Sequence, residues 1–204
     1  MQKLVLETFE EWTKNLSPKE SRITIFEHIR DISLGLIPEL IDPENGPAGI
    51  LTYNKGSCSP KHFLLGLLYQ KLRIPIKYAT YPFKWNDPDI AYPIELRKLA
   101  DTMPLEYHVA CKAYINKKWI LLDATWDPPL KKAGFPINEN WDGFSNTLNA
   151  VKPLDEIIHE NVQERIEYVR AKTAHYTEKE HALKNRFYNE FNKWLEKVRT
   201  LPVL

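Results

Sequence analysis

One cysteine of this chain stands where a thiol would be activated. Cys58 is followed by Ser59, a good helix N-cap, and by Pro60, which suits a first helical turn, and leucines continue at helical spacing from Leu64. The sequence therefore predicts a helix that begins directly after Cys58, with Ser59 as its N-cap. The unpaired N–H groups and the positive dipole end of a helix favour thiolate over thiol, and the thiolate is the form that attacks a carbonyl carbon. Nucleophilic chemistry at Cys58 is the expected activity.

A histidine and an aspartate that could serve this cysteine lie in a predicted β-hairpin, residues 106–126. A two-residue loop at Asn116 and Lys117 places His108 diagonal to Asp123 on the same face of the hairpin. Diagonal neighbours are about 7–8 Å apart at Cα, close enough for an imidazole to meet a carboxylate. A three-residue loop would shift the pairing by one residue, so the prediction depends on the two-residue loop.

Three sequence blocks, in this order, resemble the transglutaminase-like superfamily of papain-like thiol enzymes. They are Gly-Ser-Cys-Ser-Pro-Lys-His-Phe-Leu-Leu around Cys58, residues 72–78 with Arg-Ile-Pro where the family usually has Gly-Ile-Pro, and the strands that carry His108 and Asp123. The match covers residues 55–129. The resemblance implies an α+β fold in which the cysteine, at a helix N-terminus, packs against an antiparallel sheet that presents the histidine and the aspartate. It also implies a Cys-His-Asp catalytic triad.

In such a triad Cys58 attacks an amide carbonyl, His108 passes the proton to the leaving amine, and Asp123 orients the imidazolium. Resolution of the acyl-thioester by water gives a protease or deamidase, whereas an amine gives a transglutaminase. The triad is compatible with both, and hydrolysis is slightly favoured because water is always available. The oxyanion needs hydrogen-bond donors. The backbone N–H of Cys58 is the first candidate, and Asn54 and Tyr53 are candidates for the second.

The same residues leave two other interpretations open. One is a zinc site formed by Cys58, His62, His108 and Asp123, although no paired Cys-x-x-Cys or His-Glu-x-x-His motif accompanies them. No metal and no cofactor are therefore predicted. Without a bound metal, His62 is expected to be a helix-surface or cleft-wall residue, and Lys61 is expected to be solvated. The other interpretation is a catalytically silent binding or scaffold domain of the same fold.

Three aromatic residues are candidates for substrate binding. Trp85 and Tyr92 lie in a long insertion that follows a strand predicted at residues 76–81 and includes a short helix predicted at residues 94–100. Trp126 follows the predicted aspartate strand. Each of these side chains could line a cleft or simply pack over the core, and the sequence supports both interpretations equally.

The chain is predicted to form a single transglutaminase-like domain. Its 204 residues, 43% of them hydrophobic, are enough to bury one substantial core. The expected parts are a core at about residues 45–130, a helical N-terminal segment at 1–40 and a helical C-terminal extension at 154–200. Separate helices are predicted at residues 20–36, 154–175 and 177–200. The apolar stripe of the last two helices should pack on the core or on its mate, or form a homo-oligomer interface.

The amino-acid composition limits the kinds of partner that this protein is expected to bind. The chain has 28 basic and 27 acidic residues and a formal net charge of +1, which gives no electrostatic footprint for nucleic acid. Two cysteines, of which Cys111 is expected to be a small buried hydrophobe, make a poor disulfide framework and favour a cytoplasmic protein. Acidic residues interrupt the N-terminal segment too early for a signal peptide, and no membrane association is expected. The expected partner is a peptide or protein substrate.

Overall fold

The computed structural model describes residues 2–202 and has a mixed α+β architecture, as the sequence predicts. Its α-helices are α1 (Gln2–Thr13), α2 (Pro18–Asp31), α3 (Gly46–Tyr53), α4 (Cys58–Lys71), α5 (Ile94–Thr102), α6 (Val162–Thr173) and α7 (Glu178–Thr200). Its strands are β1 (Ser33–Leu34), β2 (Lys55–Gly56), β3 (Ile76–Phe83), β4 (Glu106–Ile115), β5 (Lys118–Leu122) and β6 (Ile157–His159). Short 3-10 helices span Pro38–Leu40 and Pro128–Ala133. Within residues 2–202, no helix is both long enough and apolar enough to cross a membrane.

The main sheet is antiparallel, with strand order β5-β4-β3-β6, and β1 and β2 form a separate parallel pair. Between β4 and β5, Asn116 and Lys117 have φ angles of 51° and 64°. Two central residues with positive φ are the signature of a two-residue type I′ turn, whose twist matches that of the strands it joins. The register pairs Ile115 with Lys118. The predicted two-residue hairpin is therefore confirmed.

Helix α4 packs on one face of this sheet and forms the first core with it. Fully buried residues of α4 contact alternate residues of β4, among them Cys111, whose Sγ donates to the backbone oxygen of His62 at 3.3 Å. Gly66 of α4 allows the closest approach, because the hydroxyl of Tyr78 fills the space that a Cβ at this position would need. The prediction that Cys111 is a small buried hydrophobe is confirmed.

A second core lies between α7, α5 and the segment that follows β5. Its members from α7 are Phe187, Phe191, Trp194, Leu195 and Val198. These side chains contact the insertion between β3 and β4 and the loop after β5, so the predicted packing of the α7 stripe within its own chain is confirmed.

Several predicted boundaries are wrong. Helix α2 ends at Asp31 instead of residue 36, because the chain turns into β1 and Leu34 pairs with Gly56 of β2. The segment around Ile158, predicted as helix, contains β6, in which Ile158 pairs with Ala79 of β3.

The start of α4 also differs from the prediction. The helix begins at Cys58 itself, and Ser57, not Ser59, is the N-cap residue, without a capping hydrogen bond from its side chain. Cys58 is therefore the first helical residue. Its backbone N–H has no intrahelical partner, as for every residue of a first helical turn.

Candidate active site

The ends of β4 and β5 bring a histidine and an aspartate into direct contact. His108 Nε2 lies 2.7 Å from Asp123 Oδ2, and both side chains are buried. The register set by the hairpin turn places the two residues diagonally on one face, which is the predicted arrangement. Asp123 raises the pKa of His108 to about 10 in spite of its burial, with a further contribution from Cys58.

The Asp123 carboxylate is held in place by several donors. Its Oδ2 also accepts from the backbone N–H of Ala150 at 2.8 Å, and its Oδ1 accepts from the hydroxyl of Thr125 at 2.6 Å and from its backbone N–H at 3.2 Å. Burial alone would raise the pKa of this carboxyl, but the charge of His108 and these hydrogen bonds lower it well below its usual range. Asp123 is therefore ionised and fixed in orientation at neutral pH.

Cys58 completes the cluster from the N-terminus of α4. Its thiol is half-buried and lines the same cleft as His108, whose positive charge acts on it. Burial alone would raise the pKa of Cys58, but the positive charge and hydrogen bond of His108, a backbone N–H of Val109 and the charge of Arg165 lower it below that of an ordinary thiol. The arrangement favours a thiolate and imidazolium pair.

His62 is fully buried, so the prediction of a helix-surface position is wrong. Its Nδ1 lies 2.8 Å from the backbone oxygen of Cys58, and its Nε2 accepts from the backbone N–H of Ala124 at 3.0 Å. The first contact requires a hydrogen on Nδ1 and the second a lone pair on Nε2, so the ring is neutral. Burial lowers the pKa of His62 to about 4. The neutral ring joins the first turn of α4 to the end of β5.

Lys61 is also fully buried, contrary to the expectation of a solvated side chain. Its Nζ donates to the backbone oxygens of Arg30, Ile32 and Thr125 at 2.9, 2.8 and 2.7 Å. Three acceptors match the three N–H donors of an ammonium group. Burial lowers the pKa of Lys61 to about 7, and the nearby carboxylates Asp127 and Asp123 oppose that shift. Lys61 therefore ties the end of α2 to the segment after β5.

A cleft of about 210 Å³ opens over Cys58 and His108, where the two cores meet. Its walls are largely apolar and come from the 3-10 turn after β1, the end of β3, and helices α6 and α7. The cleft can therefore seat a small part of a substrate directly against the thiol.

The candidate substrate-binding aromatics divide between two places. Trp85 and Trp126 line the cleft, whereas Tyr92 packs against Trp194 outside it, with ring centroids 5.1 Å apart. Trp126 donates from Nε1 to the backbone oxygen of Ala150, and Trp85 Nε1 has no hydrogen-bond partner within residues 2–202.

The two side chains considered for the oxyanion lie elsewhere. Tyr53 is 69% exposed at the last position of α3, and Asn54, also exposed, follows it with a φ of 48°. Neither residue lines the cleft. The structure does not bring them to Cys58, because the chain turns into β2 directly after Asn54.

Four charged or polar side chains of the cleft were missed in the sequence: Glu106, Arg165, Lys184 and Tyr188. Glu106 lies 2.9 Å from Lys184 Nζ and 3.1 Å from the Tyr188 hydroxyl. Arg165 is 4% exposed, and its Nη2 donates to the backbone oxygen of Tyr107 at 3.0 Å. A signal for Arg165 was present, because it interrupts the apolar spacing of Val162, Ile166 and Val169 on α6.

In the part of the chain that the structure describes, no three His, Cys, Asp or Glu side chains are grouped so as to hold a metal ion. His62 and His108 have ring centroids 5.9 Å apart and are nearly perpendicular. His62 offers its lone pair to a backbone N–H of Ala124, so it is not free to ligate.

No family model matches this chain, and no curated protein matches its sequence. Among solved structures it is similar to a "Putative Cysteine Protease from Cytophaga hutchinsonii", with 25% identity over 64% of this chain and 39% of the other, and a TM-score of 0.43. It is also similar to a "putative protease from Parabacteroides distasonis", with 16% identity over 59% of this chain and 23% of the other, and a TM-score of 0.38. The chain spans less than half the length of either protein. At these TM-scores the similarity transfers neither a fold nor an activity.

Proposed function

We propose that this protein is a cysteine-dependent enzyme that attacks peptide or protein amides and forms an acyl-thioester on Cys58. The observation that carries the proposal is the contact between buried His108 and Asp123 at 2.7 Å, with Cys58 in the wall of the same cleft as His108 and under the influence of its charge. A nucleophile, a proton carrier and an orienting carboxylate are the three groups that this chemistry needs. The transglutaminase-like resemblance of residues 55–129 supports the same proposal.

In the acylation step, the Cys58 thiolate attacks the amide carbon and a C–S bond forms. The first-turn N–H of Cys58 lies next to the developing oxyanion and can donate to it. His108, protonated in the ion pair, gives its Nδ1 proton to the amide nitrogen as the C–N bond breaks. The amine leaves, and a thioester remains on a neutral imidazole held by Asp123.

In the deacylation step, neutral His108 takes a proton from water while the water oxygen attacks the thioester carbon. The C–S bond breaks, the acid is released, and the thiolate and imidazolium pair returns. An amine in place of the water would give transamidation. Hydrolysis is the favoured outcome because water needs no second binding site, whereas an amine does.

The first test is the rate of iodoacetamide labelling across pH, with peptide mapping to identify the labelled cysteine. We expect Cys58 to label with an apparent pKa well below the value of about 8.5 for a free thiol. In His108→Ala the apparent pKa should return towards that value, because the imidazolium is lost. The matched control is Cys111→Ser, which removes the buried thiol and should leave the labelling of Cys58 unchanged.

Ordinary labelling of Cys58 that does not respond to His108→Ala would refute the proposal and favour a binding domain without catalysis. If the thiol is activated, a panel of peptide amides with and without hydroxylamine separates the two reactions. Hydroxamate in place of acid shows that an amine can intercept the thioester. Acid as the sole product at high hydroxylamine concentration identifies a hydrolase.

A further inference from the structure

The cleft holds a buried positive charge that no carboxylate of the described residues neutralises. Arg165 is 4% exposed and lines the cleft, its Nη2 donates to the backbone oxygen of Tyr107, and its Nε has no hydrogen-bond partner within residues 2–202. Burying a cation without a partner is costly, so an arginine in this position calls for a partner that the described residues do not supply.

Two other arginines of the chain, Arg199 and Arg30, are shielded from solvent and pair with carboxylates. Arg199 forms two hydrogen bonds to the carboxylate of Asp127, each 2.8 Å long. Arg30 lies 2.8 Å from Asp31 Oδ1 and also donates to the backbone oxygen of Asn138. Arg165 differs from both because its one hydrogen bond goes to a backbone carbonyl. That carbonyl belongs to the residue before His108, so the guanidinium is anchored directly beside the candidate active site.

The charged residues around Arg165 indicate which kind of ligand would bind there. The remaining acid and base of the cleft, Glu106 and Lys184, lie 2.9 Å apart and cancel each other. The Cys58 thiolate also acts on the charge of Arg165, and this interaction is lost when the thiol is acylated. Of the Glu, Lys and Arg side chains that line the cleft, Arg165 is the one without an oppositely charged side-chain partner among the described residues. A guanidinium in this position favours a ligand with acceptor oxygens.

We propose that Arg165 binds a carboxylate of the substrate close to the amide that Cys58 attacks. The proposal rests on the proposed function, since it names the class of amide that the enzyme takes. A planar guanidinium recognises a carboxylate through paired N–H donors, and the anchor on Tyr107 fixes its plane. The carboxylate comes either from the C-terminus of a peptide or from an acidic side chain next to the attacked bond.

The test uses two alkylating reagents that differ only in this group: N-(iodoacetyl)glycine, with a free carboxylate, and N-(iodoacetyl)glycinamide. In both, the thiolate displaces iodide and a C–S bond forms, so the chemical step is the same. In the unmodified protein we expect the carboxylate reagent to label Cys58 about 10–100-fold faster than the amide, relative to the same ratio for glutathione. This range corresponds to one charged hydrogen-bonded contact.

Arg165→Gln should reduce this preference to the ratio for glutathione, and Arg165→Lys should keep part of it. The matched control is Arg170→Gln on the same helix, because Arg170 is exposed and outside the cleft, and it should leave the preference intact. Loss of Arg165 also removes a charge that favours the thiolate, but this slows both reagents equally and cancels in the ratio. A third reagent, N-(iodoacetyl)aspartic acid 1-amide, distinguishes an acidic side chain from a chain end.

Equal labelling by the two glycine reagents in the unmodified protein overturns the proposal, and so does a preference that survives in Arg165→Gln. If Cys58 is not activated at all, the proposed function fails separately, and carboxylate binding is measured without chemistry. In Cys58→Ala, calorimetric titration should then show N-acetylglycine binding at least 10-fold tighter than N-acetylglycinamide, and this difference should vanish in Cys58→Ala with Arg165→Gln. No difference in the Cys58→Ala protein would overturn the proposal.

Discussion

Asp123 stands between two histidines whose surroundings drive their protonation in opposite directions. His108 Nε2 is 2.7 Å from Oδ2, and His62 Nε2 is 3.6 Å from Oδ1. Both rings are buried, yet the pKa of His108 is raised to about 10 and that of His62 is lowered to about 4. Backbone groups occupy both nitrogens of His62. His108 instead has a carboxylate at Nε2 and is under the influence of the Cys58 thiolate. Backbone partners fix one protonation state, and ionisable partners make the proton transferable.

A similar contrast in hydrogen-bond partners separates two buried basic side chains, Lys61 and Arg165. Lys61, on the side of α4 with His62, has a carbonyl partner for each ammonium hydrogen. Arg165, on the cleft side with His108, has one carbonyl partner among the described residues, and its Nε has none there. On the inner side, formed by Lys61 and His62, the side-chain donors all reach backbone oxygens. The inner side therefore stabilises the fold, and the cleft side carries the groups for which we propose chemistry.

The largest expected effect comes from Asp123→Asn, which keeps the shape of the side chain and removes the charge on which His108 depends. Amide turnover should fall about 10³–10⁴-fold, because a neutral amide no longer orients and stabilises the imidazolium. The pKa of His108, followed by NMR titration, should fall towards the ordinary histidine value. A decrease of less than 10-fold in turnover would show that Asp123 serves only to stabilise the fold.

The inner side is tested by Lys61→Met, which leaves three buried backbone oxygens without a donor. The free energy of unfolding should fall by about 3–5 kcal/mol, measured by urea denaturation. Lys98→Met is the matched control, because the Lys98 side chain is 64% exposed and its salt bridge among the described residues is to exposed Glu95. The control should change stability by less than about 0.5 kcal/mol. Similar effects of the two variants would contradict the structural role of Lys61.

The neutral state of His62 predicts a pH dependence of stability with a defined sign. An unfolded histidine titrates near pH 6.5, and the pKa of folded His62 is about 4, so between these values the unfolded chain binds a proton that the folded chain does not. The free energy of unfolding should therefore fall by roughly 3 kcal/mol as pH decreases from 6.5 to 4. The raised pKa of His108 acts at the other end: its contribution is complete below pH 6.5 and is lost as pH rises through about 10.

His62→Gln is the variant that isolates this effect, since a glutamine amide can donate to the Cys58 carbonyl and accept from Ala124 without titrating. Urea denaturation at intervals from pH 7 to pH 4 should give a shallower slope for His62→Gln than for the unmodified protein. Identical slopes would mean that the folded protein accepts a proton on His62, and the contrast with His108 would then be wrong.

The proximity of the three candidate residues could be predicted because it follows from sequence patterns over short stretches of the chain. A short polar turn, alternation along the flanking strands and a cysteine at a helix start each depend on a few neighbouring residues. The turn and strand patterns placed His108 and Asp123 diagonally in the hairpin, and the pattern around Cys58 placed this residue next to the start of α4, although the helix begins at Cys58 and not after it. The predicted start of α4 lies after the observed one. Ser59 is a good capping residue by type, whereas the observed N-cap, Ser57, makes no capping hydrogen bond. The catalytic roles of the three residues remain predictions.

Long-range partners explain what was missed. The acceptors of Lys61 lie 29 to 64 residues away in sequence, so nothing near Lys61 distinguishes it from a surface lysine. Ile158 fits the helical spacing of Val162 and Ile166 but joins β3 as strand β6, because an available sheet edge outweighs local periodicity. The insertion of Arg165 into the cleft similarly depends on where α6 docks. Burial of a charge is a property of the tertiary structure, and a single sequence signals it only as a break in an apolar stripe.

The smallest expected effect tests the register between β4 and β5, which places His108 beside Asp123. Lys117 holds a φ of 64° in the type I′ turn, a conformation that favours glycine. Lys117→Gly should raise the free energy of unfolding by about 0.5–1 kcal/mol, whereas Lys118→Gly, one residue into β5, should lower it by a similar amount. Labelling of Cys58 across pH should be the same in both variants, because the turn fixes the register without contacting the thiol. If both glycines destabilised the protein equally, the turn would not be type I′, and the pairing that aligns His108 with Asp123 would lose its support.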